Sequence, residues 1–131
     1  MRFMIMGRGS EASEAGVLPG DELIEAMRAY NASMTEAGVL VSAEALHPMT
    51  RGARISYRKG TAVVIDGPFT ETKEVIAGFW IIEVESKEEA VAWALKMPYV
   101  QDGEEGVEIR EVFEVPELDE RIAAERARGE R

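Results

Sequence analysis

One polar loop between two apolar stretches carries the residues best suited to chemistry in this chain. The loop begins at Asp66-Gly67-Pro68, after a run that ends at Ile65 and before another that starts at Ile76. Glycine reaches backbone angles that other residues avoid and proline fixes its own, so this pair predicts a sharp turn. A carboxylate such as Asp66, at a strand end beside a cleft, can act as a general base. The alternative is that Asp66 accepts hydrogen bonds from the backbone of its own turn.

The second candidate for acid–base chemistry is His47, the single histidine of the chain. Histidine is the side chain that exchanges a proton most readily near neutral pH. If folding brings His47 near Asp66, the carboxylate can orient the imidazole while the imidazole transfers a proton. We therefore name Asp66 and His47 as candidate catalytic residues. A lone histidine before Pro48 is otherwise a surface or loop-packing residue.

Five further residues are predicted to contact a substrate. Lys73 can receive an anionic group or pair with Glu74, and Phe69 lines a pocket wall or anchors the loop in the core. Tyr30 falls on the apolar stripe of a predicted helix, and its buried hydroxyl needs a partner that a pocket shared with Asp66 would supply. The predicted substrate-binding set is Lys73, Glu74, Tyr30, Phe69 and Glu44.

Composition excludes several other kinds of site. The chain has no cysteine, which excludes disulfides, thiolate metal sites and cysteine nucleophiles, and one histidine excludes a multi-histidine metal site within one chain. We expect no metal and no cofactor; His47, Asp66 and Glu44 form the one alternative ligand set, without a spacing that points to a metal. The net charge of −10 weighs against nucleic acid as a partner. A basic cluster is the local exception, as a solvated edge or an anion site: Arg51, Arg54, Arg58 and Lys59.

Size and hydrophobic content predict one domain. At 131 residues with 46% hydrophobic content, the chain can form an ordinary core. The apolar run at residues 1–7 is too short for a signal peptide and no segment approaches membrane-spanning length, which predicts a cytoplasmic protein without a membrane partner. Large apolar residues become scarce after residue 115, so we expect a domain over residues 1–115 and a charged C-terminal tail over 116–131.

The hydrophobic pattern predicts the elements that position these residues. The expected strands are residues 2–7, 39–43, 53–58, 62–65, 76–82 and 107–115, and the expected helices run from Pro19 to Gly38 and from Ser86 to Met97. Lys59-Gly60 is the predicted turn of the hairpin at 53–65, and Ser86 has capping-box spacing with Glu89. The order predicts an α+β fold of ferredoxin-like βαββαβ type with an inserted β-hairpin.

The apolar pattern of the first and fourth core strands also predicts a partner. Phe3 and Ile5 point one way and Met4 and Met6 the other, and the strand at 76–82 is likewise apolar on both faces. Two helices cover only one face of such a sheet. A second copy, packed sheet against sheet, is the economical cover, so we predict a homodimer.

The loop and its neighbours resemble the signature of the DGPF-type, YCII-related family. The resemblance rests on Asp66-Gly67-Pro68-Phe69 with Thr70-Glu71-Thr72-Lys73-Glu74, on Gly78-Phe79, on Leu46-His47-Pro48 and on the junction Ala37-Gly38-Val39-Leu40. It covers residues 1 to about 115. The fold that it implies is a dimeric α+β barrel, in agreement with the order of elements.

For function, the resemblance implies two hypotheses. Related proteins are associated with a His-Asp pair proposed as an active site, and one branch resembles dehydrochlorinases of chlorinated hydroxyquinols; the first helix here departs from that pattern, with Tyr30 and no histidine. The first hypothesis is a homodimer that binds a small anionic or phenolic molecule at the Asp66 loop, acting as a cofactor-free lyase or isomerase. The second is a non-catalytic interaction or regulatory protein associated with an extracytoplasmic-function sigma factor.

Overall fold

The fold, in a computed structural model, is a four-stranded antiparallel sheet with helices on one face and a separate two-stranded hairpin. The structure describes residues 1–68, 75–98 and 106–129. Its elements are β1 (Arg2–Arg8), α1 (Glu11–Glu14), α2 (Asp21–Glu36), β2 (Leu40–Ala45), β3 (Ala53–Arg58), β4 (Thr61–Asp66), β5 (Ile76–Glu83), α3 (Lys87–Leu95), β6 (Val107–Glu111) and α4 (Val115–Gly129).

The order of strands confirms the predicted α+β fold. The main sheet runs β2-β5-β1-β6 with every neighbouring pair antiparallel, which is the ferredoxin-like arrangement once the β3–β4 hairpin is set aside as an insertion. The structure differs from two local predictions. The last strand ends at Glu111 instead of residue 115, and the loop after β1 contains the short helix α1, because the Ser10 hydroxyl accepts the Ser13 N–H at 3.1 Å and caps it.

The core lies between the sheet and the helices α2 and α3. Phe3 pairs with Ile82 across β1 and β5, and directly opposite residues share a face, so both point toward the helices. The helices contribute Tyr30 and Met34 from α2, and Ala90 and Ala94 from α3. Burying each large side chain stabilises the fold by roughly 1.5–3 kcal/mol, so this layer is the main source of stability.

No helix within the described residues covers the other face of the main sheet. Met4 pairs with Ile81, and Met6 pairs with Phe79, and these four side chains remain partly exposed. We call this surface the open sheet face. Its apolar centre agrees with the pattern that predicted both faces of β1 and β5 to be hydrophobic.

The hairpin β3–β4, residues Ala53–Asp66, projects from the sheet and is here called the arm. Its turn is Lys59-Gly60, as predicted, and both residues have positive φ angles of 50° and 78°, the values that a tight two-residue hairpin requires. Apart from half-buried Ser56, every residue of the arm is exposed. Glycine at position 60 takes this backbone conformation without strain.

The helix α4 is attached through Glu114, the residue directly before it, and lies outside the core. The Arg2 guanidinium donates to both carboxylate oxygens of Glu114 at 2.9 and 3.1 Å, and Arg121 lies 5.4 Å from the centre of the Phe113 ring. None of the residues described in α4 is buried.

Among the helices of the described chain, none combines the length and apolar content needed to cross a membrane.

Candidate active site

The candidate site begins where the arm returns to the body of the domain, at Asp66 and Gly67. Asp66 is the last residue of β4 and pairs with Ala53 at the base of the arm. The Gly67 N–H donates to the Gly52 carbonyl at 3.1 Å, and a Cβ at position 67 would lie 1.7 Å from the carbonyl oxygen of Met49. Only glycine fits this approach. The sequence argument assigned Gly67 to unusual backbone angles, whereas the structure requires it for close packing.

The segment that Gly67 packs against follows directly from β2 and carries His47. The Leu46 N–H donates to the Ala77 carbonyl at 2.8 Å, which holds the start of this segment on β5. A 3₁₀ turn at Met49–Arg51 follows, and the Met49 side chain is buried. The main-chain segments that carry His47 and Asp66 are therefore packed together. Both side chains are exposed, and no hydrogen bond joins His47 to Asp66 among the described residues.

A carboxylate from the short helix α1 holds the same turn. The Met49 N–H donates to Glu14 Oε1 at 3.0 Å, and Glu14 is half-buried. This bond supplies an acceptor for a backbone N–H that is partly removed from water, which otherwise costs free energy. Glu14 was not singled out from sequence. The capping residues of α1 were the available signal, but nothing local indicates that a residue 35 positions away needs this carboxylate.

Arg51 is the charged neighbour of His47. Its Nη1 lies 3.2 Å from His47 Nδ1 and 3.0 Å from Nε2. A guanidinium only donates hydrogen bonds, so the ring nitrogen that it meets acts as an acceptor, a role open to neutral imidazole. Arg51 was recognised from sequence only as a member of a basic cluster. In the structure it places a permanent positive charge beside the one histidine.

Tyr30 is part of the core rather than of the arm's base. Its hydroxyl donates to the Trp93 carbonyl on α3 at 2.7 Å, and its ring meets Trp80 edge-on with centroids 6.3 Å apart. Burial raises the pKa of Tyr30 to about 12. The hydroxyl partner that the sequence argument expected from a pocket is therefore supplied by the main chain of α3. Contact of Tyr30 with a ligand stays a prediction.

The other predicted substrate-binding residues divide into two groups. Glu44 is exposed on β2 and pairs with Phe79, which places it at the margin of the open sheet face. Phe69, Lys73 and Glu74 lie outside the described residues.

Within residues 1–68, 75–98 and 106–129, no three histidine, aspartate or glutamate side chains lie close enough to hold a metal ion, so the alternative set of His47, Asp66 and Glu44 gains no support.

Comparison with known proteins confirms the family resemblance. The family model described as the YCII-related domain matches residues 1–116. An uncharacterized protein of Rhizobium meliloti (strain 1021) is 31% identical over 90 residues, a match that covers 69% of this chain and 73% of that protein. The region matched by the family model includes the motif that suggested the family.

A solved structure has a similar fold. It is the 5-chloro-2-hydroxyhydroquinone dehydrochlorinase from Burkholderia phenoliruptrix AC1100 in complex with 2,5-dihydroxybenzoquinone, with a TM-score of 0.50 and 16% sequence identity. The match covers 88% of this chain and 97% of that chain. At this identity the likeness shows the α+β fold and carries no site residue across.

Proposed function

We propose that this chain, which belongs to the YCII-related domain family, binds a small anionic or phenolic molecule beside Asp66 and acts on it by proton transfer without a cofactor. The observation that carries the proposal is the close approach of Gly67 to the Met49 carbonyl. This contact holds a carboxylate next to the segment that carries the single imidazole. The reaction class is that of a lyase or an isomerase.

The roles follow from the chemistry of three side chains. Asp66 accepts a proton from the bound molecule as general base, and His47 accepts or returns a proton at the neighbouring position. Arg51 contributes a permanent positive charge beside His47, suited to a phenolate or carboxylate group of the ligand. Lys73 supplies further electrostatic support from the loop, and Glu74, Phe69 and Glu44 complete the contacts.

Two facts outside the site support this class of ligand. The solved structure with a similar fold contains a small hydroxylated ring compound, and by its name that protein removes hydrogen chloride from a phenolic molecule. Such an elimination needs a base to take a proton, and Asp66 is the base in this proposal. The proposal also includes pairing of two copies through the open sheet face, which leaves Met6 and Phe79 covered.

A thermal-shift screen of small acids and phenols tests binding. A ligand present at about 100 times its Kd stabilises the native state by roughly 2.7 kcal/mol, which raises Tm by roughly 5–10 °C in a domain of this size. We expect at least one compound to do so with wild type and with the control Asp119→Ala, and to lose most of its effect with Asp66→Ala. A compound that stabilises all three proteins equally contradicts the assignment of Asp66.

Hydrogen exchange of a bound compound tests the chemistry. In deuterated buffer, wild type should catalyse deuterium uptake at the acidic C–H of the compound, followed by NMR. Asp66→Asn keeps the size and polarity of the side chain but removes the base, so we expect the exchange rate to fall by about 10²–10⁴-fold. His47→Gln should lower the rate as well, while Asp119→Asn should leave it unchanged. Unaltered exchange in Asp66→Asn would sink the acid–base proposal.

A further inference from the structure

One short segment connects the turn behind the proposed base to the main sheet. It consists of residues 9–14, which include α1, and we call it the brace. At its start, the N–H of buried Gly9 donates to the carbonyl of Val75, the residue directly before β5, at 2.6 Å. At its end, the half-buried Glu14 carboxylate accepts the Met49 N–H at 3.0 Å. The brace is therefore bonded to the chain that enters β5 at one end and to the 3₁₀ turn at the other.

Reciprocal capping bonds hold the brace in its shape. The Ser10 hydroxyl accepts the Ser13 N–H at 3.1 Å, and the Ser13 hydroxyl accepts the Ser10 N–H at 2.8 Å. A helix as short as α1 is not stable by itself in water, so these bonds and the contacts at its two ends keep it folded. A Cβ at Gly9 would lie 3.4 Å from the Val75 carbonyl oxygen, which shows how closely the start of the brace packs. Glu14 thus extends from a segment that is fixed to the sheet.

A series of backbone hydrogen bonds leads from Glu14 to Asp66. The Met49 carbonyl accepts the Gly52 N–H at 2.9 Å, and the Gly52 carbonyl accepts the Gly67 N–H at 3.1 Å. Gly67 is also in contact with the Met49 carbonyl, since a Cβ at position 67 would lie 1.7 Å from its oxygen. The side chain of Met49 is buried. A displacement of the Met49 main chain therefore displaces Gly67, and Asp66 with it.

We propose that Glu14 is a positioning residue for the proton transfer assigned to Asp66, and that it acts through Met49 and Gly67. The inference rests on the proposed function and deepens it. A general base works only within hydrogen-bond distance of the proton that it takes. A misplacement of about 1 Å, caused by a change far from the reacting atoms, can lower a rate by about 100-fold. The brace holds exposed Asp66 at a fixed position relative to the main sheet.

Amide hydrogen exchange of the full-length protein, followed by NMR without any ligand, tests the contact. Glu14→Asp keeps the charge but shortens the side chain by one methylene, Glu14→Gln keeps the length and an acceptor oxygen, and Glu11→Asp is the matched control on the same helix. In Glu14→Asp, we expect the Met49 and Gly67 amides to exchange about tenfold faster or more, and the amides of β1 and β5 to keep their rates. Glu14→Gln and the control should stay within about threefold of wild type. Equal exchange in Glu14→Asp and wild type would overturn the proposal.

Kinetics distinguish positioning from a contribution to stability alone. Resorcinol is the probe, because its ring C–H hydrogens exchange with deuterated water by proton transfer, and each variant is measured well below its Tm. In Glu14→Asp, we expect kcat to fall about tenfold or more while KM changes by less than about threefold, since the misplaced base weakens the transition state and not the binding of the probe. Glu14→Gln should recover at least about a third of the wild-type kcat. An unchanged kcat in Glu14→Asp, or the same loss in Glu14→Gln, contradicts the positioning role.

Failure of this inference is separate from failure of the proposed function. If Asp66→Asn slows the exchange of resorcinol and Glu14→Asp does not, the function stands and the positioning role of Glu14 falls. If Asp66→Asn leaves that exchange unaltered while the Met49 and Gly67 amides still distinguish Glu14→Asp from Glu14→Gln, the brace holds the turn as described, and the reaction that it was proposed to serve is overturned.

Discussion

The main sheet and the arm are both antiparallel β structure with alternating apolar residues, and they differ in what covers them. Ile5 and Ile82 of the main sheet have no exposed area, whereas Ile55 and Val64 of the arm are more than half exposed. The sheet is covered by two helices of its own chain, and the arm by nothing in the described residues. Alternation of apolar and polar residues in the sequence thus predicts a strand but does not predict what packs on its apolar face. The described residues leave the apolar side chains of the arm exposed, whereas they cover those of the main sheet.

The largest expected effect is a direct test of this difference by the same substitution in both regions. Ile5→Ala leaves a cavity under α2 and α3 and should lower the free energy of unfolding by about 2–5 kcal/mol. Ile55→Ala, measured at a protein concentration where the chains are separate, should lower it by less than about 1 kcal/mol, because little area leaves contact. Urea denaturation compares the two variants.

A large effect of Ile55→Ala in the separated chain would show that the arm packs on its own domain. The comparison between the two regions would then fail.

The next largest effect is expected at Gly67, which joins the arm to the body of the domain. Gly67→Ala forces a methyl group against the Met49 carbonyl and should destabilise the protein by roughly 1–3 kcal/mol while displacing Asp66. Gly106→Ala is the control, because no atom of the described residues beyond its chain neighbours lies within 4 Å of its added Cβ. Thermal unfolding and ligand-induced stabilisation should both fall in Gly67→Ala and neither in the control. Retained ligand response in Gly67→Ala would show that the contact does not set the position of Asp66.

A smaller effect is expected at Glu14, which holds the turn against which Gly67 packs. Glu14→Ala removes the acceptor of the Met49 N–H and should cost about 0.5–1.5 kcal/mol. Glu11→Ala, in the same short helix and exposed, should change stability by less than about 0.5 kcal/mol. If the two variants are equal in denaturation and in ligand response, Glu14 has no role in positioning the site.

The smallest effect is expected at α4, a second exposed element. A charged pair, and not buried apolar residues, attaches it to the domain. The hydrogen bond and the charge of Arg2 hold the pKa of Glu114 below its usual value. A carboxyl with a lowered folded-state pKa adds stability above its unfolded pKa and loses that contribution as pH falls through the folded pKa. The stability difference between wild type and Glu114→Gln should therefore be present at pH 7 and should vanish in acid. A difference that is independent of pH would show that shape, and not charge, holds this helix.

Much of the fold follows from sequence because local patterns encode it. The alternation in β1 and β5, the glycine at position 60 and the capping residue Ser86 each act on neighbours within a few positions, and the predicted elements at those places are present. The central part of the family motif, residues 66–74, also lies in one continuous stretch. The predicted roles of His47 and Asp66, the pairing of two copies, the association with a sigma factor and the cytoplasmic location stay predictions.

What the sequence by itself determined is where most of the strands and the two core helices lie, how they follow one another, and which side chains have the chemistry for proton transfer. Tertiary structure alone decided that Gly67 meets Met49, that Glu14 holds Met49 and that Tyr30 bonds to Trp93. The physical reason is the separation along the chain over which each kind of interaction acts. Periodicity and capping act between near neighbours along the chain, whereas close packing and hydrogen bonds between distant residues exist only after the sheet has brought their segments together.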